Sequence, residues 1–539
     1  MKRFRRIRKL NLPITLFRIC ALLSLGFLLS ASRPAYAQKT PLDGLDSYVA
    51  KAVHDWDAPG LSMAIVKDDR MVFAKGYGVR KLGESAPVDE HTLFAIGSSS
   101  KAFTTTSIAM LVDEGKINWD DRVQRYLPQF QLSDGYVEHE LTIRDLFCHR
   151  GALARADYIW AITQFDRDEI LRRARYLPQV DKVRYIYGYN NIMFIAGGQL
   201  IPALTGKTWD AFVRERIFDP LGMKDTNTST KDFRPGGNVA NPHSWTEGKA
   251  KAIPWRNIDN AGPAGSINSS AAEMAQWVRL QLNDGTFEGK RLVNAAILAE
   301  THEPQMVMTR QILKDDLSIY KGFWPSETHF MLYGLGWFLE DYRGRKVIWH
   351  GGAIDGMNAL VAFMPEEKLG VVALVNLNRD GYNQILPALM WRVFDAYLGV
   401  PERDWSAEFL RRVRPDEDKA EAKRKEAEKQ TPNTKPSLTL SQYAGHYVNC
   451  VLGDARIVED GGSLVWQGPP FAGTLQHWHY DTFQVTWTDV RAGSAPRKSP
   501  VNFQLNSQGQ VSALTVEGQI EFRRAPESAP ADWKPDACR

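Results

Sequence analysis

Between residues 38 and 400 the chain places strand patterns at both ends and helical patterns in the middle, and that order restricts the fold. LSMAIVKDDRMVFAKGYGVR alternates in polarity and turns at Asp68-Asp69, the pattern of a hairpin. Strand signals return only at YGLGWFLEDYRGRKVIWHGG and LVAFMPEEKLGVVALVNLN, each broken by a short polar turn. Helical spacing marks residues 41–56, dominates from Phe94 to about Leu298, and closes the segment at ILPALMWRVFDAYLG. The order predicts an α/β (α+β) architecture: one antiparallel sheet drawn from both ends of the segment, flanked by helices, with a helical subdomain between.

Residues 401–436 change character. EDKAEAKRKEAEKQTPNTKP is charged, lacks an apolar stripe and ends in prolines, so this stretch reads as a linker, in part a solvated helix held by i,i+4 pairs. Residues 437–526 carry short alternating runs, QYAGHYVNC, SLVWQG, QHWHYDTFQVTW, VNFQLN, ALTV and IEFRR, separated by Gly and Asp turns. That spacing indicates a small β-barrel or sandwich, followed by a tail at 527–539. Nothing beyond residue 400 is expected to enter the active site.

The first 37 residues explain the basic composition. A basic n-region, an apolar run (ICALLSLGFLLSA) and Ala35-Tyr36-Ala37 read as a signal peptide cut after Ala37, which directs the chain to the periplasm or outside. This leader holds 8 of the 67 basic residues and no acidic one, so the net charge of +4 becomes −4 on its removal. The charge therefore gives no argument for nucleic acid. No second run of 18 apolar residues follows, so no stable membrane span is expected after cleavage. Cys450 and Cys538 either pair in an oxidising compartment or stay free.

Ser98-Ser99-Ser100-Lys101, in TLFAIGSSSKAFTTTSIAMLVDEGK, carries the chemistry. A Gly97 turn leads into a helix, and residues three apart share a helix face, so the Lys101 amine can reach the Ser98 hydroxyl. The helix start adds free N–H groups for an oxyanion. Four letters alone are cheap, since Ser318-Ile319-Tyr320-Lys321 matches too; the Gly97 turn and the long helix favour Ser98. Tyr189-Asn190-Asn191, in RYIYGYNNIMFIAGG, offers a phenol for proton relay and an amide to orient substrate or Lys101. His350-Gly351-Gly352 follows a strand, where glycines let backbone approach a ligand and the Ala353 N–H can join that of Ser98 as oxyanion hole.

In this order the three elements resemble the serine β-lactamase-like superfamily, in the branch of class C β-lactamases, penicillin-binding proteins, D-aminopeptidases and esterases. The likeness extends to LTIRDLFCHRGAL, AGPAGSINSSAAEMAQWVRL and HGGAIDGMNALVAFMPEEKLGVVALVNLN. It implies a β-lactamase/transpeptidase-like fold, no cofactor and no metal. Ser98 is then the nucleophile, Lys101 its base and Tyr189 the proton relay. Asn191, His350 and Gly352 are substrate-binding, with the Ser98 and Ala353 amides as oxyanion hole. Residues 437–526 resemble the lipocalin-like C-terminal domain of some family peptidases.

Two departures stand out. His350 replaces the lysine that usually opens the third motif, which weakens the case for a strong β-lactamase, and HRGAL lacks the Ser/Thr-Gly pair that usually follows its histidine. The resulting expectation is a periplasmic or secreted serine hydrolase forming an acyl-enzyme with small amides, D-residue peptides or esters. The alternatives are a weak β-lactamase or D,D-carboxypeptidase, and an inert binding relative. The partner is a small-molecule or peptide substrate, and homo-oligomerisation is left open. His446, His477 and His479 read as a polar barrel face rather than a metal site.

Overall fold

The computed structural model describes residues 40–309, 325–379, 382–427, 429–468, 472–488, 498–526, 528–530, 533–535 and 538. The stretch read as a leader, with Ala37 as its expected cleavage site, and the second match at Ser318–Lys321 lie outside them.

Helix α1 (Leu45–Asp55) precedes the hairpin of β1 (Gly60–Lys67) and β2 (Arg70–Gly78). Asp68 and Asp69 both take positive φ, 50° and 61°, as a two-residue hairpin turn requires. Five further antiparallel strands and β8 complete the sheet: β3 (Met306–Met308), β4 (Met331–Tyr333), β5 (Phe338–Tyr342), β6 (Arg345–Ile354), β7 (Met357–Met364) and β8 (Leu369–Val375). The spatial order is β2-β1-β8-β7-β6-β5-β4-β3. The two ends of the segment thus meet at β1 and β8, in register from Leu61↔Val375 to Lys67↔Leu369. All seven residues of β8, LGVVALV, are buried, and an unbroken apolar run is what a strand covered on both faces reads as.

Helix α2 (Ser100–Asp113) is the centre of the helical part. Every residue from Ser100 to Leu111 is buried, although the run contains TTTS. Three of the four hydroxyls are satisfied: Thr105 and Ser107 donate to the carbonyls four residues back, and Thr104 donates to Pro263 O at 2.7 Å. Around it stand α3 (Tyr158–Ala161), α4 (Arg167–Arg173), α5 (Asn191–Thr205), α6 (Gly262–Gly265) and α7 (Ala271–Leu282). Helix α7 and the later α8 (Ile385–Tyr397) both pack on β8.

Helix α9 (Trp405–Ala427) falls in the stretch read as a linker. Its first half belongs to the N-terminal body: Trp405, Phe409 and Val413 are buried at helical spacing, Trp405 Nε1 donates to Asp395, and the Arg379–Glu417 ion pair is buried. That stripe lies ahead of the charged run and ends where the run begins.

An eight-stranded closed barrel follows: β9 (Gly445–Asn449), β10 (Gly453–Asp460), β11 (Ser463–Gln467), β12 (Gly473–His479), β13 (Thr482–Trp487), β14 (Lys498–Leu505), β15 (Val511–Val516) and β16 (Ile520–Arg524). Each strand pairs with the next, and β16 closes on β9. Trp466, Trp487, Phe483, Phe503 and Phe522 fill the interior. Strand β10, GDARIVED, escaped the sequence reading because only Ala455 and Ile457 turn inward from a polar run. Cys450 and Cys538 form a disulfide. Among the described residues no helix is long and apolar enough to cross a membrane.

Candidate active site

Ser98 sits in a single 3-10 turn, Gly97–Ser99, immediately before α2 rather than inside it. Gly97 takes φ +50°, and a Cβ there would lie 2.8 Å from Ala353 N, so glycine is required twice over. The turn lays the Ser98 region against the end of β6. Strand β5 pairs with β6 only as far as Trp349, which leaves residues 350–354 beside Ser98 without that neighbour. Gly352 makes the approach closest: its Cβ would stand 1.7 Å from Ile96 O and 3.1 Å from Ser98 N.

Lys101 lies one turn on and is fully buried. Its Nζ is 2.9 Å from Ser98 Oγ, 2.7 Å from Asn191 Oδ1 and 2.8 Å from Ala264 O in α6. Burial holds the amine well below its ordinary 10.5; the Asp157 charge pulls it back up and Arg155 pushes it down. A neutral amine has two N–H donors and one lone pair, and the three neighbours fit that inventory. A neutral Lys101 would give its N–H groups to Asn191 Oδ1 and Ala264 O and turn its lone pair to the Ser98 hydroxyl. Tyr189 OH donates to Ser98 Oγ at 2.7 Å.

Two residues outside the sequence-derived set hold this arrangement. His149 grips the turn that carries Tyr189: Gly188 N–H donates to its carbonyl at 2.8 Å, Asn190 N–H donates to its Nδ1 at 3.1 Å, and the rings of His149 and Tyr189 lie 4.3 Å apart. His149 holds φ +57° to do so, and burial keeps it neutral. The histidine of HRGAL was the visible signal. Asp157 fixes Asn191: its Oδ1 accepts from Asn191 Nδ2 at 2.8 Å, which forces Asn191 Oδ1 toward Lys101. Burial opposes ionisation of Asp157, but Arg155, Asn191 and Trp160 outweigh it and keep the carboxyl below its ordinary value. No spacing rule links Asp157 to Ser98, so the sequence carried no signal for it.

The third motif behaves differently from the expectation. His350 is fully buried and faces inward: its Nδ1 donates to Gly351 O at 2.6 Å and its Nε2 accepts from Tyr333 OH at 3.1 Å. Burial and the nearby Lys101 push it down to about 3. The imidazole therefore lines a tyrosine cluster behind the nucleophile instead of the cleft, and strand alternation turns Gly351 and Ala353 outward in its place.

The cleft over Ser98 encloses about 190 Å³ and is bounded by Arg155, Asp157, Trp160, Ile258, Ile354 and Tyr382. A larger hollow of about 440 Å³ lies between Trp245 and α9, but it is lined by ion-paired groups such as Arg379 and Glu417. On the barrel, His477 Nε2 bonds Tyr480 O and His446 approaches Asp454 at 3.3 Å.

The beta-lactamase family model matches residues 45–393. The chain belongs to the beta-lactamase family. A second family model, described as a domain of unknown function (DUF3471), matches residues 429–529. An unguisins hydrolase of Aspergillus violaceofuscus is 29% identical over 522 residues, covering 88% of both chains. Among solved structures, an octameric penicillin-binding protein homologue from Pyrococcus abyssi superposes with TM-score 0.59 at 20% identity, covering 89% of this chain and 99% of that one. D-amino acid amidase from Ochrobactrum anthropi SV3 superposes with TM-score 0.55 at 20% identity, covering 66% and 99%. At such identities these likenesses speak for the fold. This beta-lactamase relative is a serine hydrolase by family, with its Ser-Lys-Tyr cluster at the open end of β6.

Proposed function

We propose that the protein is a secreted or periplasmic hydrolase that opens small amides, D-residue peptides or esters through an acyl-enzyme on Ser98. Ser98 Oγ attacks the carbonyl carbon and its proton passes to the neutral Lys101 amine. The carbonyl oxygen, now an anion, is taken by the Ser98 and Ala353 N–H groups. Tyr189, in hydrogen-bond contact with Ser98 Oγ, delivers a proton to the leaving nitrogen or oxygen as the bond breaks, and Lys101 restores it. Water then enters, loses its proton to the same pair, and releases the acid. The observation that carries this reading is the Lys101 site: a buried amine within hydrogen-bond distance of Asn191 Oδ1, Ala264 O and the Ser98 hydroxyl.

Secretion draws support from the Cys450–Cys538 disulfide, which persists in oxidising compartments. The peptide and amide classes draw support from relatives named as an unguisins hydrolase and a D-amino acid amidase. With His350 turned inward, the third motif supplies no side-chain cation to a substrate carboxylate. Among the described residues lining the cleft, the cation is Arg155, and it is ion-paired with Asp157 at 2.8 Å. Substrates without a free carboxylate beside the scissile bond are therefore favoured over β-lactams.

The purified protein screened on D-aminoacyl amides, p-nitrophenyl esters and nitrocefin tests the reading. Ser98→Ala should lose both turnover and fluorophosphonate labelling, and labelling that survives in Ser98→Ala would overturn the assignment.

A further inference from the structure

One turn of helix stands between the cleft and the barrel. Helix α3 has four residues, too few to hold its shape alone, so what packs on it decides where its side chains stand. Toward the cleft it presents Trp160 and the preceding Asp157, joined by Trp160 Nε1 donating to Asp157 Oδ1 at 2.9 Å. Toward the other side, Tyr158 and the following Ile162 pack against the barrel core, the cluster that contains Leu452, Trp466 and Phe522. Helix α4 adds a second tie: Arg173 Nη1 donates to Val451 O at 2.7 Å while its guanidinium lies 4.1 Å from the centre of the Phe165 ring. Val451 immediately follows the disulfide-bonded Cys450.

We propose that the C-terminal barrel supports the substrate cleft from outside: by seating Tyr158 and Ile162 it holds Trp160 in the cleft wall, and so governs recognition of the substrate beyond its scissile bond. This rests on the hydrolase reading of the site; among the described residues nothing past residue 400 enters the cleft, but the barrel bears on its wall. Tyr158, Ile162 and Arg173 are positioning residues. None touches Ser98, and each acts through Trp160, while Asp157 keeps its own anchor in the Asn191 amide at 2.8 Å. A substrate small enough to leave the Trp160 wall unused is indifferent to them, and a larger one is not.

The test uses the full chain with Ile162→Ala and Arg173→Ala, alone and combined. Three readouts are taken: hydrogen exchange at residues 155–162, kcat and KM for p-nitrophenyl acetate, and kcat and KM for a D-phenylalanine anilide. Exchange at 155–162 should accelerate and KM for the anilide should rise about tenfold, while kcat/KM for the acetate changes less than about threefold. Unchanged exchange at 155–162 in the double variant overturns the coupling, whatever the kinetics. Accelerated exchange with both substrates losing equally in kcat overturns the recognition role, because the barrel then acts on the nucleophile. If the wild type hydrolyses neither substrate and takes no fluorophosphonate, the hydrolase reading fails, and the exchange result still reports the coupling on its own.

Discussion

Lys101 is useful only unprotonated, and its surroundings decide when that happens. Because burial places the folded value well below 10.5, activity should climb as pH rises through that lowered value, and the acid limb of kcat/KM reports it. Asp157 is the charge that raises it. Asp157→Asn keeps an oxygen for Asn191 Nδ2 but removes the charge that raises the Lys101 value, which falls further. The acid limb should move to lower pH. A shift to higher pH would refute the electrostatic assignment. His149 acts on Tyr189 by geometry instead. His149→Ala removes the Nδ1 acceptor of the Asn190 N–H and the ring packed on Tyr189, while its backbone carbonyl still holds Gly188, and a Tyr189 hydroxyl misplaced by about 1 Å costs roughly 100-fold in kcat. Lys101→Ala and Tyr189→Phe should each cost several orders of magnitude, and the double variant little more, because they serve one proton path.

At the scale of elements, the site is a junction between a turn and a strand end. The Gly97 turn and the glycines of β6 bring two backbones together without side chains between them. Gly352→Ala would press a methyl onto Ile96 O and should destabilise by about 3 kcal/mol or more while abolishing labelling at Ser98. Gly351→Ala meets only the Tyr382 side chain at 2.9 Å and should cost less; urea unfolding of the two variants gives the comparison. Strands β1, β2 and β5 to β8 were readable from period and turn residues, and the turn at Asp68-Asp69 is the clearest case; the edge strands β3 and β4, three residues each, are too short to show a period. The polar strand β10 was not, because a barrel wall needs only alternate residues to be apolar, and here just two of them turn inward.

Across the whole molecule, buried histidines weaken the fold in acid, His149 and His243 among them. His302 and His350 are both pushed down to about 3 by burial, while in the unfolded chain they protonate near 6.5. Their contribution is complete above pH 6.5 and is lost as pH falls toward 3. Unfolding free energy should therefore drop below pH 6.5 by up to about 1.4 kcal/mol per pH unit for each histidine, a slope that denaturant titrations at several pH values measure. Proteolysis should cut within the exposed, charged second half of α9 or just after it, and the nicked pieces should co-elute, since Tyr158, Ile162 and Arg173 bind the barrel to the hydrolase body. The sequence alone determined the class of fold and singled out Ser98, Lys101 and Tyr189, which the fold brings within hydrogen-bond distance of one another at Ser98, because helical spacing, strand alternation and short motifs are properties of neighbours along the chain. It could not show that His350 turns inward, that His149 and Asp157 set the relay, or that the barrel reaches α3. Those follow from which faces meet after packing, when burial has decided which groups keep a charge and which keep only a hydrogen bond.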